Sequence, residues 1–126
     1  MVGCLVLSHG KVAQAMIDAT RGIVGECEQL FTLTVQDLSV REIHKRIAAV
    51  IEKHDLQDGL FILVGLPGGS FSNAALHIAR EFEKIHVISG VNLSVLISFI
   101  TKHKKYNFEE LGQVMLQDGQ RALTML

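Results

Sequence analysis

His9 is the residue of this chain best placed to do chemistry. It closes the run Gly3-Cys4-Leu5-Val6-Leu7-Ser8-His9-Gly10-Lys11, where a buried strand should end and a helix begin. Imidazole gives or takes a proton near neutral pH, so a histidine at that point can act as nucleophile, base or ligand. The plain alternative is a polar loop residue leading into the next helix. A second segment, Gly65-Leu66-Pro67-Gly68-Gly69-Ser70, follows the clearest apolar strand, Leu60 to Val64. Gly68 and Gly69 permit a tight turn whose N–H groups face an open crevice. Ser70 stands at the start of the following helix, where its hydroxyl and the partial positive charge of the helix end favour an anion. Taken alone, the loop could be a turn with a serine cap. Taken with His9, it reads as a phosphate held beside an imidazole.

These two segments can meet only if the elements bearing them are neighbours. Val2 to Leu7 is an almost unbroken apolar run, as expected of a strand covered on both faces. Val12, Met16, Ala19 and Ile23 follow at helical spacing, and Gly25 supplies a stop. Leu30 to Val35 has the β-branched and aromatic content of a second strand. Ser39 and Glu42 form a capping box for a helix with Val40, Ile43, Ile47, Val50 and Ile51 on one stripe. After Leu60–Val64 come a helix through Ala74, Ala75, Ile78 and Phe82, a strand at Ile85–Ile88, a Gly90-Val91-Asn92 turn and a helix from Leu93. Asn107 can cap a last helix with Glu110 three residues on, whereas Arg121 to Leu126 fits either more helix or a final strand. Alternation of this kind predicts an α/β fold, an open and mostly parallel four-stranded sheet with helices on both faces. In the order 2-1-3-4 the winding reverses between the first and third strands, and the binding crevice falls at their carboxyl ends. Those ends carry His9 and the glycine loop.

Composition narrows the function classes. A chain of 126 residues that is 48% hydrophobic can bury one core, and we expect a single domain over residues 1–126. A net charge of −1 speaks against a nucleic-acid partner, since the one dense basic run, Lys102-His103-Lys104-Lys105, reads as a solvated helix end. Two cysteines, Cys4 and Cys27, suggest no disulfide framework and fit a reduced cytosol. The longest apolar-looking stretch, Val87 to Ile100, is interrupted by serines, Gly90 and Asn92 and does not reach the roughly 20 residues of a membrane span. Any membrane association would therefore come through a partner. The loop lacks the lysine of a Walker motif, the spacing of a dinucleotide fingerprint and the elbow of a serine hydrolase. No His, Asp or Glu pair near His9 has metal-ligand spacing on one helical face, so neither metal nor cofactor is expected. His44, His54, His77 and His103 read as surface residues, and His86, at a strand start, as structural.

The residues resemble, over almost the whole chain, the mannose-class IIA component of the bacterial phosphoenolpyruvate-dependent sugar phosphotransferase system, the mannose/fructose/sorbose family. Ser8-His9-Gly10 is similar to that family's Thr-His-Gly segment, Gly22 to Glu26 to its Gly-Glu helix end, and Gly68-Gly69-Ser70 with Asn73 to its Gly-Gly-Ser-Pro-Phe-Asn loop. Ile88 to Leu93 resembles its Gly-Val-Asn turn, and Phe108 to Leu111 its last helix. The resemblance implies a cytoplasmic phosphotransferase in which His9 accepts phosphate from HPr and passes it to a IIB component, in line with the membrane IIC and IID components. Gly68, Gly69 and Ser70 would hold the phosphate. It also implies a homodimer, formed by exchange of a C-terminal edge strand that Ala122 to Leu126 is apolar enough to supply.

One position departs from the family pattern. An aspartate usually follows the third strand and orients the histidine through its other ring nitrogen, and Gly65 stands there. Pro67 and Phe71 also differ from the usual loop. Asp37, at the end of the second strand, is a candidate substitute acid, although a turn or helix-approach role suits it better. Lys11 can draw in the phosphate or face an acidic partner, or be a solvated first-turn lysine, and Asn73 and Asn92 are candidates for supporting the loops. Loss of the aspartate leaves two readings: a working phosphoryl carrier with a differently supported His9, or a regulatory IIA-like binding module in which phosphorylation is slow or absent. The sugar cannot be read from such a chain.

Overall fold

The computed structural model describes residues 1–126. Nine elements alternate along most of the chain: β1 (Val2–His9), α1 (Val12–Val24), β2 (Leu30–Val35), α2 (Val40–Lys53), β3 (Gly59–Val64), α3 (Gly69–Glu81), β4 (Ile85–Ser89), α4 (Leu93–Lys102) and α5 (Phe108–Arg121). The four strands form one sheet in the order β2-β1-β3-β4, and every pairing is parallel.

Period-two alternation along the central strands divides the core in two. On one face Cys4 and Val6 of β1 and Phe61 and Leu63 of β3 pack against Ala13 and Ile17 of α1, Leu96 and Phe99 of α4, and Leu111 and Met115 of α5. On the other, Leu5, Leu7, Leu60, Ile62 and Val64 pack against Ile43 and Ile47 of α2 and Ala74, Ala75 and Ile78 of α3. Both central strands are thus sealed on both sides, which explains their unbroken apolar composition. Their register brings Leu7 level with Val64, so His9 and Gly65 emerge together at the carboxyl edge.

Side chains define the starts of most helices. Ser39 and Glu42 make the reciprocal capping box on α2. Asn92 Oδ1 accepts from the Val95 N–H on α4, and Asn107 Oδ1 from the Glu110 N–H on α5. In α1 the work is done from the preceding strand: Ser8 Oγ accepts from the Ala13 N–H at 2.8 Å. α3 alone begins at a glycine cap, Gly68, with no side-chain hydrogen bond. The ambiguity at the C-terminus resolves as helix to Arg121 followed by an irregular tail, with Leu123, Met125 and Leu126 fully exposed. Within this chain the tail is not a strand, and the sheet is completed by no fifth strand of its own. No helix is long and apolar enough to cross a membrane.

Candidate functional site

A cleft of about 580 Å³ opens where the winding reverses, lined by residues from the ends of β1, β2 and β3 and the start of α3. His9, Asp37, Gly65, Gly68, Gly69 and Ser70 all line it, so six positions scattered through the sequence share one crevice. A second hollow, about 530 Å³, lies at the amino ends of β3 and β4 between Leu60 and Ile85. It is the first cleft that occupies the position where open α/β sheets hold ligands.

His9 shares the side of β1 with Leu5 and Leu7 because strand side chains alternate, and so faces the layer containing α3. Its ring is exposed at the sheet's edge and lies on Phe71, with ring centroids 4.2 Å apart and planes tilted by 38°. Phe71, half-buried against the α2–α3 core, is anchored from below. Asp37 lines the same cleft with φ +56°, but no ion pair or hydrogen bond joins its carboxylate to His9. The ring thus has an aromatic contact and no hydrogen-bonded acid.

The glycine loop is built for close approach. Gly68 and Gly69 have φ of +78° and +75°, conformations that side-chain-bearing residues rarely adopt. Ser72 Oγ donates to the Leu66 carbonyl at 3.0 Å and pins the loop to the first turn of α3. Ser70 is the second residue of that helix rather than its cap. Because no side chain caps α3, its first N–H groups remain available to an anion, together with the positive end of the helix dipole. The cysteines offer no competing nucleophile: burial pushes the Cys4 thiol far up, and burial also raises Cys27.

The outlying candidates occupy other places. Lys11 and Asn73 are exposed and stand outside the cleft lining. Asn92 is engaged elsewhere: it caps α4, its Nδ2 donates to the Gly119 carbonyl at 2.9 Å, and it lines a separate hollow beside β4.

A family profile described as "PTS system fructose IIA component" (EIIA-man) matches residues 3–115. The chain belongs to the mannose-class IIA family of the sugar phosphotransferase system. It is 25% identical to the mannose-specific EIIAB component of Escherichia coli K12 over 99% of its own length and 39% of that protein. It thus spans about two-fifths of that two-part relative. The sorbose-specific EIIA component of Klebsiella pneumoniae is 26% identical over 90% of this chain and 83% of its own. Among solved structures, EIIA from Streptococcus agalactiae shares the fold at a TM-score of 0.90, with 18% identity and coverage of 99% and 97%. The mannose/sorbose specific IIA subunit from Enterococcus faecalis superposes at 0.85, with 25% identity and coverage of 98% and 93%.

Gly65, where the family resemblance implies an acid, stands in an open position. A Cβ built at Gly65 meets no atom within 4 Å. Phe71 and Ser8 are the residues that sequence reasoning underrated. The signal for Phe71 was its place directly after Gly-Gly-Ser, one helical step from the anion end. Ser8 showed no local cap spacing, because it reaches α1 from a strand five residues before its donor.

Proposed function

We propose that His9 is a phosphoryl acceptor, taking phosphate from phospho-HPr and passing it to a IIB component during sugar uptake. A ring nitrogen of His9 attacks phosphorus as the bond to the donor breaks, and the reverse exchange delivers the group to the next carrier. Such transfer asks the protein to align donor and acceptor and to stabilise charge on the three equatorial oxygens. The observation that carries this reading is the juxtaposition of an exposed imidazole with the one helix N-terminus that no side chain caps. Amide groups of Gly69 and Ser70, with the Ser70 hydroxyl, would receive the oxygens, at roughly 1.5–3 kcal/mol for each charge-assisted bond. Exposure of His9 also suits a group that must be reached by two successive proteins.

Residues 1–126 would act as one cytoplasmic IIA unit, working as a homodimer and touching the membrane only through its transporter partners. The apolar tail at Leu123, Met125 and Leu126 and the open edge of β4 support the dimer, since both gain by being covered. A monomer mass by light scattering at micromolar concentration would contradict it. The carrier role is tested with labelled phosphoenolpyruvate and the two general phosphotransferase proteins. Label should enter the wild-type chain and be lost in His9→Ala. Failure of the wild type under conditions that label another IIA protein would overturn the role and favour the regulatory reading, which the missing acid at Gly65 motivates.

A further inference from the structure

His44, His77 and Glu81 meet on the face where α2 packs against α3, and none of them lines the His9 cleft. His77 and Glu81 lie four residues apart on α3 and so project from one side of the helix. His44 reaches across from α2, with Nε2 3.0 Å from Glu81 Oε1. His77 Nδ1 lies 3.9 Å from the same oxygen, and the three ligand atoms all fall within 4.8 Å of one another. The two imidazoles are 6.0 Å apart and nearly perpendicular, at 79°, so neither ring covers the other.

We propose that these three side chains form a binding site for one divalent transition-metal ion of the zinc class. Two imidazoles and a carboxylate are a ligand set that zinc accepts, with metal–nitrogen and metal–oxygen bonds of about 2.0–2.2 Å. Tetrahedral angles at such bonds set ligand atoms roughly 3.3–3.5 Å apart. The observed separations of 3.0 and 3.9 Å bracket that spacing. The remaining adjustment falls on His77, whose side chain is 66% exposed and free to turn, while Ile43, Ile47, Ala75 and Ile78 hold the two helices in place. Metal binding requires a ring nitrogen with a free lone pair, so His44 would coordinate through Nε2 as the neutral imidazole with its proton on Nδ1, and metal bonds would replace its contact with Glu81 Oε1. Three protein ligands leave a fourth position for water or an incoming group, and the ion would cross-link α2 to α3. The site runs against the expectation from sequence, which is of no metal and of His44 and His77 as plain surface residues. This cluster needs a residue from a second helix, which no spacing within one segment reveals.

The site is tested by titrating the full chain with Zn²⁺ in a calorimeter at neutral pH and with Co²⁺ by visible absorption. One ion should bind per chain, with affinity reduced at least tenfold by His77→Ala and by His44→Ala and unchanged by His86→Ala, which removes a different His–Glu pair. His77 is exposed, so its variant keeps the fold and makes the comparison decisive even if His44→Ala is destabilised. No saturable uptake by the wild type, or uptake that His77→Ala leaves intact, would overturn the proposal and identify the cluster as an ion pair between helices.

Discussion

His9 and His86 are both strand histidines in contact with a phenylalanine, yet their surroundings are opposites. His86, on β4, stacks on Phe108 at 4.9 Å with planes 10° apart, and its Nε2 is 3.0 Å from a Glu109 carboxylate oxygen. His9 has an aromatic neighbour, Phe71, and no acid. A carboxylate-supported imidazole is a familiar sign of catalysis. Here that sign marks His86, whereas the proposed acceptor is His9. His86 is exposed as well, but it lies beside the first turn of α5, whose start Asn107 caps, whereas His9 shares a cleft with the uncapped start of α3. The proposed assignment therefore rests on the location of the imidazole in the sheet and not on the company of an acid.

The largest expected difference follows from this contrast. His9→Gln should abolish phosphorylation, and His86→Gln should leave its rate within about twofold, as measured by label transfer at limiting HPr. Equal losses would dissolve the distinction between them. Next in size is Gly65→Asp, which gives His9 the acid that His86 has. The Cβ position is open, and a hydrogen bond that fixes the ring is worth about 1.4 kcal/mol, or about tenfold in transfer rate. A well-folded variant with no gain would mean that stacking alone already orients the ring.

Phe71→Ala should act in the other direction. Aromatic pairs contribute roughly 0.5–1.5 kcal/mol beyond burial, so phosphorylation should slow about fivefold, and Phe71→Leu should recover little of it because it restores volume without a ring face. Full activity in the alanine variant would remove Phe71 from the account.

The smallest effect concerns an acid that is well supported but remote from the cleft. Asp118 accepts hydrogen bonds from Lys102 Nζ at 2.6 Å and Ser98 Oγ at 2.7 Å, which join α5 to α4. The Lys102 hydrogen bond first, and that of Ser98 second, hold its carboxyl below the ordinary value. Because the folded value is depressed, the contribution to stability is complete above the unfolded carboxylate pKa and fades as pH falls through the folded one. Asp118→Asn should therefore cost about 1 kcal/mol at neutral pH and flatten the acid limb of the stability curve, with no change in phosphorylation. A stability loss that persists unchanged at strongly acid pH would contradict the assignment.

Much of this architecture is legible in the sequence. The buried runs of β1 and β3, the Ser39–Glu42 and Asn107–Glu110 caps and the 2-1-3-4 order are local signals or follow from short right-handed connections. Convergence of His9 with the glycine loop followed from that order. Side-chain contacts between distant segments could not be read in the same way. His54 was expected at the surface but is half-buried, its ring 4.2 Å from Phe31. His103 likewise lies against Phe99 at 5.1 Å, with Nδ1 near the Phe99 carbonyl. Flat, amphipathic rings cover apolar neighbours while presenting a polar edge, so their polarity in sequence overstates their exposure. The Phe71 stack and the His44–His77–Glu81 cluster were hidden for a related reason, since both depend on helix faces meeting partners far away in sequence.

The most direct test is to locate the phosphate. Wild-type chain phosphorylated through phosphoenolpyruvate and the general phosphotransferase proteins, digested without acid and mapped by mass spectrometry, should carry one acid-labile phosphoryl group on the peptide containing His9. Phosphate found on His86 or another residue, with the His9 peptide unmodified, would contradict the account.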